Sequence, residues 1–137
     1  MKILAALAAL GLLVTVPAVE AADVAAGEKA FAKCKSCHMI EGGGETIVRG
    51  GKVGPNLYGI VGKQAGSIEG FRYGDSLVEA GEKGLVWDEA SLADYITDPR
   101  EFLSEYLGGS ARSKMSYKLR SGAEDVAAYL AQFGGES

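Results

Sequence analysis

The only two cysteines and the only histidine of the chain lie together, in the segment Cys34-Lys35-Ser36-Cys37-His38. On a helical turn, positions three residues apart lie on one face, so both sulfur atoms can reach the two vinyl groups of one haem and form thioethers. His38 directly follows the second attachment point, where its imidazole can bind the haem iron. The spacing therefore predicts covalent attachment of one haem c.

Other chemistries of this motif are less favoured. A thioredoxin-like site would lie between a strand and a helix, whereas this motif ends an amphipathic segment that contains Gly27 and Phe31. A structural zinc site needs about four Cys or His ligands, and the chain has only two cysteines and one histidine. A structural disulfide between the two cysteines is the main remaining alternative.

A haem with one histidine ligand needs a second axial ligand, and the methionines are the first candidates. Met1 belongs to a predicted signal peptide, and Met39 follows His38, which holds it near the histidine side of the ring. Met115 is therefore predicted as the sixth ligand, with a lysine, a water molecule or an empty position as alternatives. Residues 111–117 have no helical period of apolar side chains, as expected of a loop that lays one thioether over the iron.

Residues 1–21 are typical of a secretory signal peptide. The stretch from Ile3 to Val16 carries no charge, and Val19-Glu20-Ala21 offers small residues for a signal peptidase. A spanning helix needs about 20 apolar residues, so an uncleaved anchor is the less favoured alternative. We expect an exported, periplasmic domain of residues 22–137 without stable membrane insertion.

The charge of the chain is unevenly distributed. The formal net charge is −4, which gives no argument for nucleic acid as a partner. Two segments are nevertheless basic, and we call residues 29–52 and 111–120 the basic islands. The first contains Lys33 and Lys35, and the second contains Arg112, Lys114 and Lys118. Both flank predicted haem ligands, so we expect them to surround the haem edge and steer it toward acidic partner surfaces.

Sequence patterns predict an all-α fold. The chain contains 20 glycines among its 137 residues, and a haem would fill the centre of a domain with so few large aliphatic side chains. The stretch from Glu41 to Gly74 is predicted as a glycine-rich wrapping loop. The predicted helices cover Val24 to Cys37, a segment capped by Asp88 that stops before Asp98-Pro99, a segment from Pro99 to Gly108-Gly109, and a last segment opened by a capping box at Ser121-Gly122-Ala123-Glu124.

The order of these motifs resembles the class I cytochromes c, in particular the bacterial cytochrome c2 and cytochrome c-550 type. This resemblance implies a small fold in which the N- and C-terminal helices cross and loops wrap one covalently bound haem. The residues that carry it are Gly27, Phe31, the Cys34–His38 motif, Gly54-Pro55-Asn56-Leu57, Phe71, Tyr73, Gly84-Leu85-Val86-Trp87, Tyr95, Asp98-Pro99, Lys114-Met115 and Ala128-Tyr129-Leu130.

The resemblance also implies roles for residues around the haem. The Pro55 carbonyl would accept the second imidazole N–H of His38 and fix the ring, and the Tyr95 hydroxyl would donate toward the Met115 sulfur. Two positions depart from the family pattern, because Lys63 stands where arginine is usual and Tyr117 where phenylalanine is usual. The residues implied near the haem propionates are Tyr73, Trp87, Ser113 and Lys63.

The function implied by the resemblance is that of a soluble, monomeric electron carrier and not an enzyme. Its donor would be a cytochrome bc1 complex, and its acceptor a photosynthetic reaction centre or a terminal oxidase or reductase. A fixed electron-relay subunit of a larger oxidoreductase is one alternative. A haem peroxidase or gas sensor with a displaced Met115 is another, although the chain has no second histidine to serve as a distal acid–base group.

Overall fold

The structure is a computed structural model, and it describes residues 11–15 and 22–134. Apart from residues 11–15, the predicted signal peptide lies outside the described residues, so its boundary at residue 22 stays a prediction. Within the described residues, no helix combines the length and the apolar character needed to cross a membrane.

Five α-helices and one small hairpin make up the described domain, and the predicted all-α fold class is confirmed. The elements in chain order are α1 (Val24–Ala30), β1 (Ile40–Gly42), β2 (Glu45–Val48), α2 (Asp75–Glu82), α3 (Glu89–Thr97), α4 (Pro99–Leu107) and α5 (Ala123–Ala131).

The first helix is shorter than predicted. Asp23 caps α1 by accepting from the backbone N–H of Ala25 at 2.9 Å and of Ala26 at 3.2 Å. The predicted continuation to Cys37 is wrong, because the chain tightens into a 3₁₀ turn over Phe31–Lys33 and then into non-helical turns. The carbonyls of residues 35 and 37 accept from loop N–H groups of residues 51 and 54 instead of continuing the helix.

The predicted boundaries of the two central helices are confirmed. Asp88 caps α3 by accepting from the Ser91 N–H at 2.7 Å, and the Ser91 hydroxyl oxygen in turn accepts from the Asp88 N–H at 3.1 Å. Asp98 separates the two helices and caps α4 by accepting from the Glu101 N–H at 3.1 Å. Pro99 opens α4, where its missing N–H leaves no helical bond unmade.

The predicted capping box at the last helix is wrong. The residue before α5 is Gly122, whose φ of 85° lies in the left-handed region, and no side chain caps the helix there. That backbone conformation favours glycine, and it places Ser121 outside the cap position. The start of α5 is therefore set by backbone geometry and by packing.

The crossing of the first and last helices is confirmed. The buried Gly27 of α1 faces α5 so closely that a Cβ at this position would collide with the Asp125 carbonyl and lie 2.9 Å from the Tyr129 Cβ. One turn further along, the rings of Phe31 and Tyr129 pack with their centroids 5.6 Å apart. Absence of a side chain at residue 27 allows the two helices to approach.

The segment predicted as a wrapping loop contains a hairpin. Strands β1 and β2 pair antiparallel around a turn at Gly43-Gly44, with a bulge between the Ile40 and Glu41 pairs. Two glycines between short β-prone stretches are a signal for such a turn. Helix α2 is not among the predicted helices, because its N-cap residue is Gly74, which has no side chain that could signal a helix start.

Candidate haem site

A cavity of about 560 Å³ lies among the attachment motif, the loops and helices α2 to α5. Its volume falls within the roughly 300–1,000 Å³ of ligand and cofactor pockets. The residues that line it include Cys34, Cys37, His38, Pro55, Leu57, Tyr73, Trp87, Leu92, Tyr95, Ile96, Ser113, Met115, Val126 and Leu130. Every sequence-predicted site residue except Lys63 therefore lines one cavity.

The two cysteines and the histidine are held by a short turn. Both thiols are free, and the His38 N–H bonds the Cys34 carbonyl at 2.9 Å, which keeps the motif within one turn. Burial raises the pKa of the Cys34 thiol, the nearby Cys37 adds to this rise, and Lys33 opposes it. The sulfur atoms thus lie in a partly water-excluded wall of the cavity.

The His38 ring is fixed by a backbone carbonyl. Its Nδ1 lies 2.9 Å from the Pro55 carbonyl oxygen, and since a carbonyl only accepts, Nδ1 carries the proton. Burial lowers the pKa of His38 and outweighs the opposing effect of the Pro55 hydrogen bond. The imidazole is therefore kept neutral with a free lone pair on Nε2, which is the form that binds iron.

A second chain segment runs beside the attachment motif and holds it. The Gly54 N–H donates to the Cys37 carbonyl at 2.7 Å, and the Leu57 N–H donates to the Met39 carbonyl at 3.0 Å. The Asn56 side chain continues this ladder, because it accepts from the Glu41 N–H at 3.0 Å and donates to the Glu41 carbonyl at 2.7 Å. Residues 54–57 therefore position the histidine as a unit.

Gly54 has a steric role that sequence reasoning missed. A Cβ at this position would lie 2.6 Å from Nδ1 and 2.8 Å from Nε2 of His38, both closer than a real Cβ approaches ring atoms. Only glycine leaves room for the imidazole. The sequence signal was the Gly54-Pro55 pair itself, but the contact with the ring depends on the tertiary fold.

Met115 lies in a non-helical segment, residues 109–119, which we call the methionine strap. Its start is tied to helix hydroxyls, with the Ala111 N–H donating to Ser104 Oγ at 3.2 Å and the Arg112 N–H to Ser76 Oγ at 3.1 Å. Its end is tied by the Leu119 N–H, which donates to the Ile96 carbonyl at 3.0 Å. The strap lays the half-buried thioether against the cavity.

Tyr95 is a buried cavity residue next to the strap. Burial raises the pKa of its hydroxyl, and a side-chain hydrogen bond with Ser113 lowers it in part. Ser113 in turn donates to the Met115 carbonyl at 2.8 Å. Among the hydrogen bonds of the described residues, none joins Tyr95 to the Met115 sulfur, so that donation stays a prediction.

Of the residues implied near the propionates, Tyr73 and Trp87 line the cavity and Lys63 does not. The Tyr73 hydroxyl accepts from the Ile68 N–H at 3.3 Å, which leaves its own proton free to be donated. Trp87 is buried and packs against Tyr95 with ring centroids 4.9 Å apart. Lys63 is exposed and does not line the cavity that the described residues form, although its carbonyl accepts from the Trp87 N–H at 2.8 Å.

Cations and two exposed apolar side chains mark where the cavity reaches the surface. Val53 and Tyr117 are 80% and 44% exposed and both line it. The cations that line it are Lys33, Arg72, Arg112 and Lys114, and Arg72 lies outside the basic islands defined from the sequence. Lys114 is partly committed to structure, because its ammonium donates to the Arg72 carbonyl at 3.2 Å.

The donor set of this cavity fits a covalently held haem. Two free thiols, an imidazole with a fixed N–H and a thioether share one lining that is otherwise mainly apolar and aromatic. Imidazole and thioether are the ligands of cytochrome c-type iron, and paired cysteines attach the ring. The Tyr73 hydroxyl, whose proton is free, would offer a donor to a charged group at the ring edge.

Comparison with known proteins agrees with this geometry. The family model described as cytochrome c matches residues 24–133. The cytochrome c-551 of Roseobacter denitrificans is 63% identical over 117 residues, which cover 84% of each chain. The cytochrome c-550 of Paracoccus versutus is 51% identical over 135 residues, covering 96% of this chain and 87% of that protein.

Solved structures give the same result. The X-ray structure of ferric cytochrome c-550 from Paracoccus versutus superimposes with a TM-score of 0.80 at 51% identity, over 83% of this chain and 99% of that one. Cytochrome c2 from Rhodobacter capsulatus gives a TM-score of 0.78 at 51% identity, over 80% and 96% of the respective chains.

The chain belongs to the cytochrome c family. It carries one covalently attached haem c and takes part in electron transport.

Proposed function

We propose that this protein is a soluble periplasmic carrier of single electrons whose haem iron is ligated by His38 and Met115. The observation that carries the proposal is the shared cavity: residues far apart in the chain, the attachment motif and the methionine strap, line the same space. When bound, a haem with a nitrogen and a thioether ligand exchanges one electron and offers no open iron position to oxygen or peroxide.

The protein's own residues supply rigidity and water exclusion. Pro55 fixes the His38 ring through the 2.9 Å bond to Nδ1, which also raises the basicity of the ligand nitrogen. Buried apolar and aromatic side chains of α3 and α5, including Leu92, Ile96 and Leu130, exclude water from the lining. A fixed, dry environment means that little has to rearrange when the oxidation state changes.

We further propose how the carrier meets its partners. Lys33, Arg72 and Arg112 are exposed and line the cavity, and the exposed Lys35 lies within the attachment motif. This distribution supports docking on acidic surfaces, with a cytochrome bc1 complex as donor and a photosynthetic reaction centre or a terminal oxidase or reductase as acceptor. Relatives named cytochrome c2 and cytochrome c-550 support a diffusing carrier over a fixed relay subunit.

The proposed ligation is tested by replacing Met115 with Ala in the haem-loaded protein. The wild type should give sharp low-spin absorption bands, a sulfur-to-iron charge-transfer band when ferric, and no spectral change with carbon monoxide. The M115A variant should lose the charge-transfer band, bind carbon monoxide and have a lower reduction potential, since a thioether favours the ferrous state.

Met39→Leu is the matched control, because Met39 is the other methionine beside the predicted ligands. Its hydrogen bond from the Leu57 N–H uses the backbone carbonyl, so the substitution leaves that bond in place. Its spectrum should equal that of the wild type. Rapid binding of carbon monoxide by the wild type, or loss of the band in M39L alone, would contradict the ligation.

A further inference from the structure

The two halves of the methionine strap are held unequally. Before Met115, the strap makes hydrogen bonds to Ser104 Oγ, Ser76 Oγ and the Arg72 carbonyl. After Met115, three consecutive residues, Ser116 to Lys118, are exposed before the buried Leu119 is reached. Leu119 is held by its N–H, which donates to the Ile96 carbonyl. For residues 116–118, the polar side-chain contact with the helices is the ion pair from Lys118 to Asp98.

The acceptor of this ion pair is itself immobilised. Asp98 lies at the junction of α3 and α4, where its Oδ1 accepts from the Glu101 N–H at 3.1 Å as the cap of α4. Its Oδ2 accepts from Lys118 Nζ at 2.9 Å, within the range of charge-assisted hydrogen bonds. Each carboxylate oxygen thus has its own partner, and the lysine is bound to a fixed point.

Burial distinguishes this ion pair from the other one in the described residues. The Asp98 side chain is 22% exposed and that of Lys118 is 41% exposed. The other pair joins Glu79 of α2 to Lys83, the first residue after that helix. Its Nζ–Oε1 distance is 3.4 Å, and the side chains of Lys83 and Glu79 are 53% and 54% exposed. The pair at the strap is therefore shorter and better shielded from water, and it joins segments 20 residues apart in the chain.

We propose that the Lys118–Asp98 ion pair is a latch that positions Met115 by holding the second half of the strap against the junction of α3 and α4. Both residues are positioning residues, because neither lines the cavity. The latch rests on the proposed ligation by Met115. Breaking it lets residues 116–118 move away from the helices, so the thioether leaves the iron more often while the attachment motif stays in place.

The experiment measures how fast imidazole, an external ligand, binds the ferric haem-loaded protein, since imidazole can bind only after the thioether has left. The variants are Lys118→Gln, Asp98→Asn and their combination. Asparagine is a good N-cap residue, so D98N removes the charge while keeping the cap of α4. From the usual strength of partly exposed ion pairs, each single variant should bind imidazole about twofold to fivefold faster.

The double variant should be no faster than either single variant, because the two changes break one interaction. Lys118→Arg keeps the ion pair and should bind at the wild-type rate. Lys83→Gln is the matched control: it removes the same charge and breaks the other ion pair, and its rate should equal that of the wild type.

Three results would overturn the latch: unchanged rates in K118Q and D98N, additive effects in the double variant, or an equal effect of K83Q. Failure of the underlying ligation looks different, because a wild-type protein without the sulfur-to-iron charge-transfer band would bind imidazole rapidly whatever the state of the ion pair.

Discussion

Replacing Gly27 with Ala tests why the first helix contains a glycine at its crossing with the last. In an isolated helix, alanine is more stable than glycine by about 1 kcal/mol. In this fold, however, the new Cβ would collide with the Asp125 backbone carbonyl and lie 2.9 Å from the Tyr129 Cβ. A backbone atom of a packed helix cannot rotate away as a flexible side chain can, so α1 and α5 would have to separate.

Overpacking of this kind costs about 1–3 kcal/mol and occasionally more. Because the collision involves backbone, we take the upper end of about 3 kcal/mol, from which the helix preference of about 1 kcal/mol is subtracted. The expected net loss is about 2 kcal/mol of unfolding free energy, or a fall in Tm of roughly 6–12 °C for a domain of this size.

The assay is equilibrium unfolding of the haem-loaded protein in guanidinium chloride, with an unchanged m-value required for the comparison. Gly109→Ala is the control, because a Cβ there meets nothing within 4 Å and its φ is not in the left-handed region. That change should leave stability unchanged or raise it by up to about 1 kcal/mol. A G27A protein as stable as the wild type would refute the close-approach argument.

Three further predictions concern the site and the surface. Gly54→Ala should push the His38 ring off the Pro55 carbonyl, shifting the reduction potential and the ferric electron paramagnetic resonance spectrum, whereas G109A leaves both unchanged. The hydrogen bond from Lys118, helped by the Glu101 N–H, holds the pKa of the Asp98 carboxyl below its ordinary value. The stabilising effect of this hydrogen bond is complete above about pH 5 and is lost as pH falls through the lowered pKa. The stability difference between the wild type and D98N should therefore shrink in acid titrations below the ordinary aspartate pKa of about 3.9. Lys35→Glu should slow bimolecular electron transfer with an acidic partner protein and weaken its dependence on salt, while Lys83→Glu, just after α2, should have little effect. Equal rates for K35E and the wild type would exclude the basic islands as the docking surface.

Local signals in the sequence predicted helix boundaries well where a side chain makes the cap. Asp88 with Ser91, and Asp98 with Pro99, bond to backbone groups within three residues, so their geometry is already implied by spacing. The same reasoning failed at Ser121, because the backbone of Gly122 adopts a left-handed conformation that moves the helix start. It also failed at Cys34–Cys37, where distant loop N–H groups compete for the carbonyls.

At the site, too, local signals in the sequence predict the residue types but not their tertiary contacts. Two cysteines, one histidine and one eligible methionine are the complete set that one haem needs, so the identity of the candidate ligands follows from residue types and short spacings. Lys63 is implied near the propionates only by the resemblance, and its place there stays a prediction; in the structure its side chain is exposed and does not line the cavity.

The sequence by itself determined the cofactor attachment, the candidate ligands and the helical class, because these depend on residue identity and on contacts within a few positions. Only the tertiary structure decided how the ligands are held. Gly54 against the His38 ring, the Asn56 ladder to Glu41 and the Lys118–Asp98 ion pair each join segments well separated in the chain. Such contacts form only when helices and loops pack around a common centre, and no local pattern records which partners will meet.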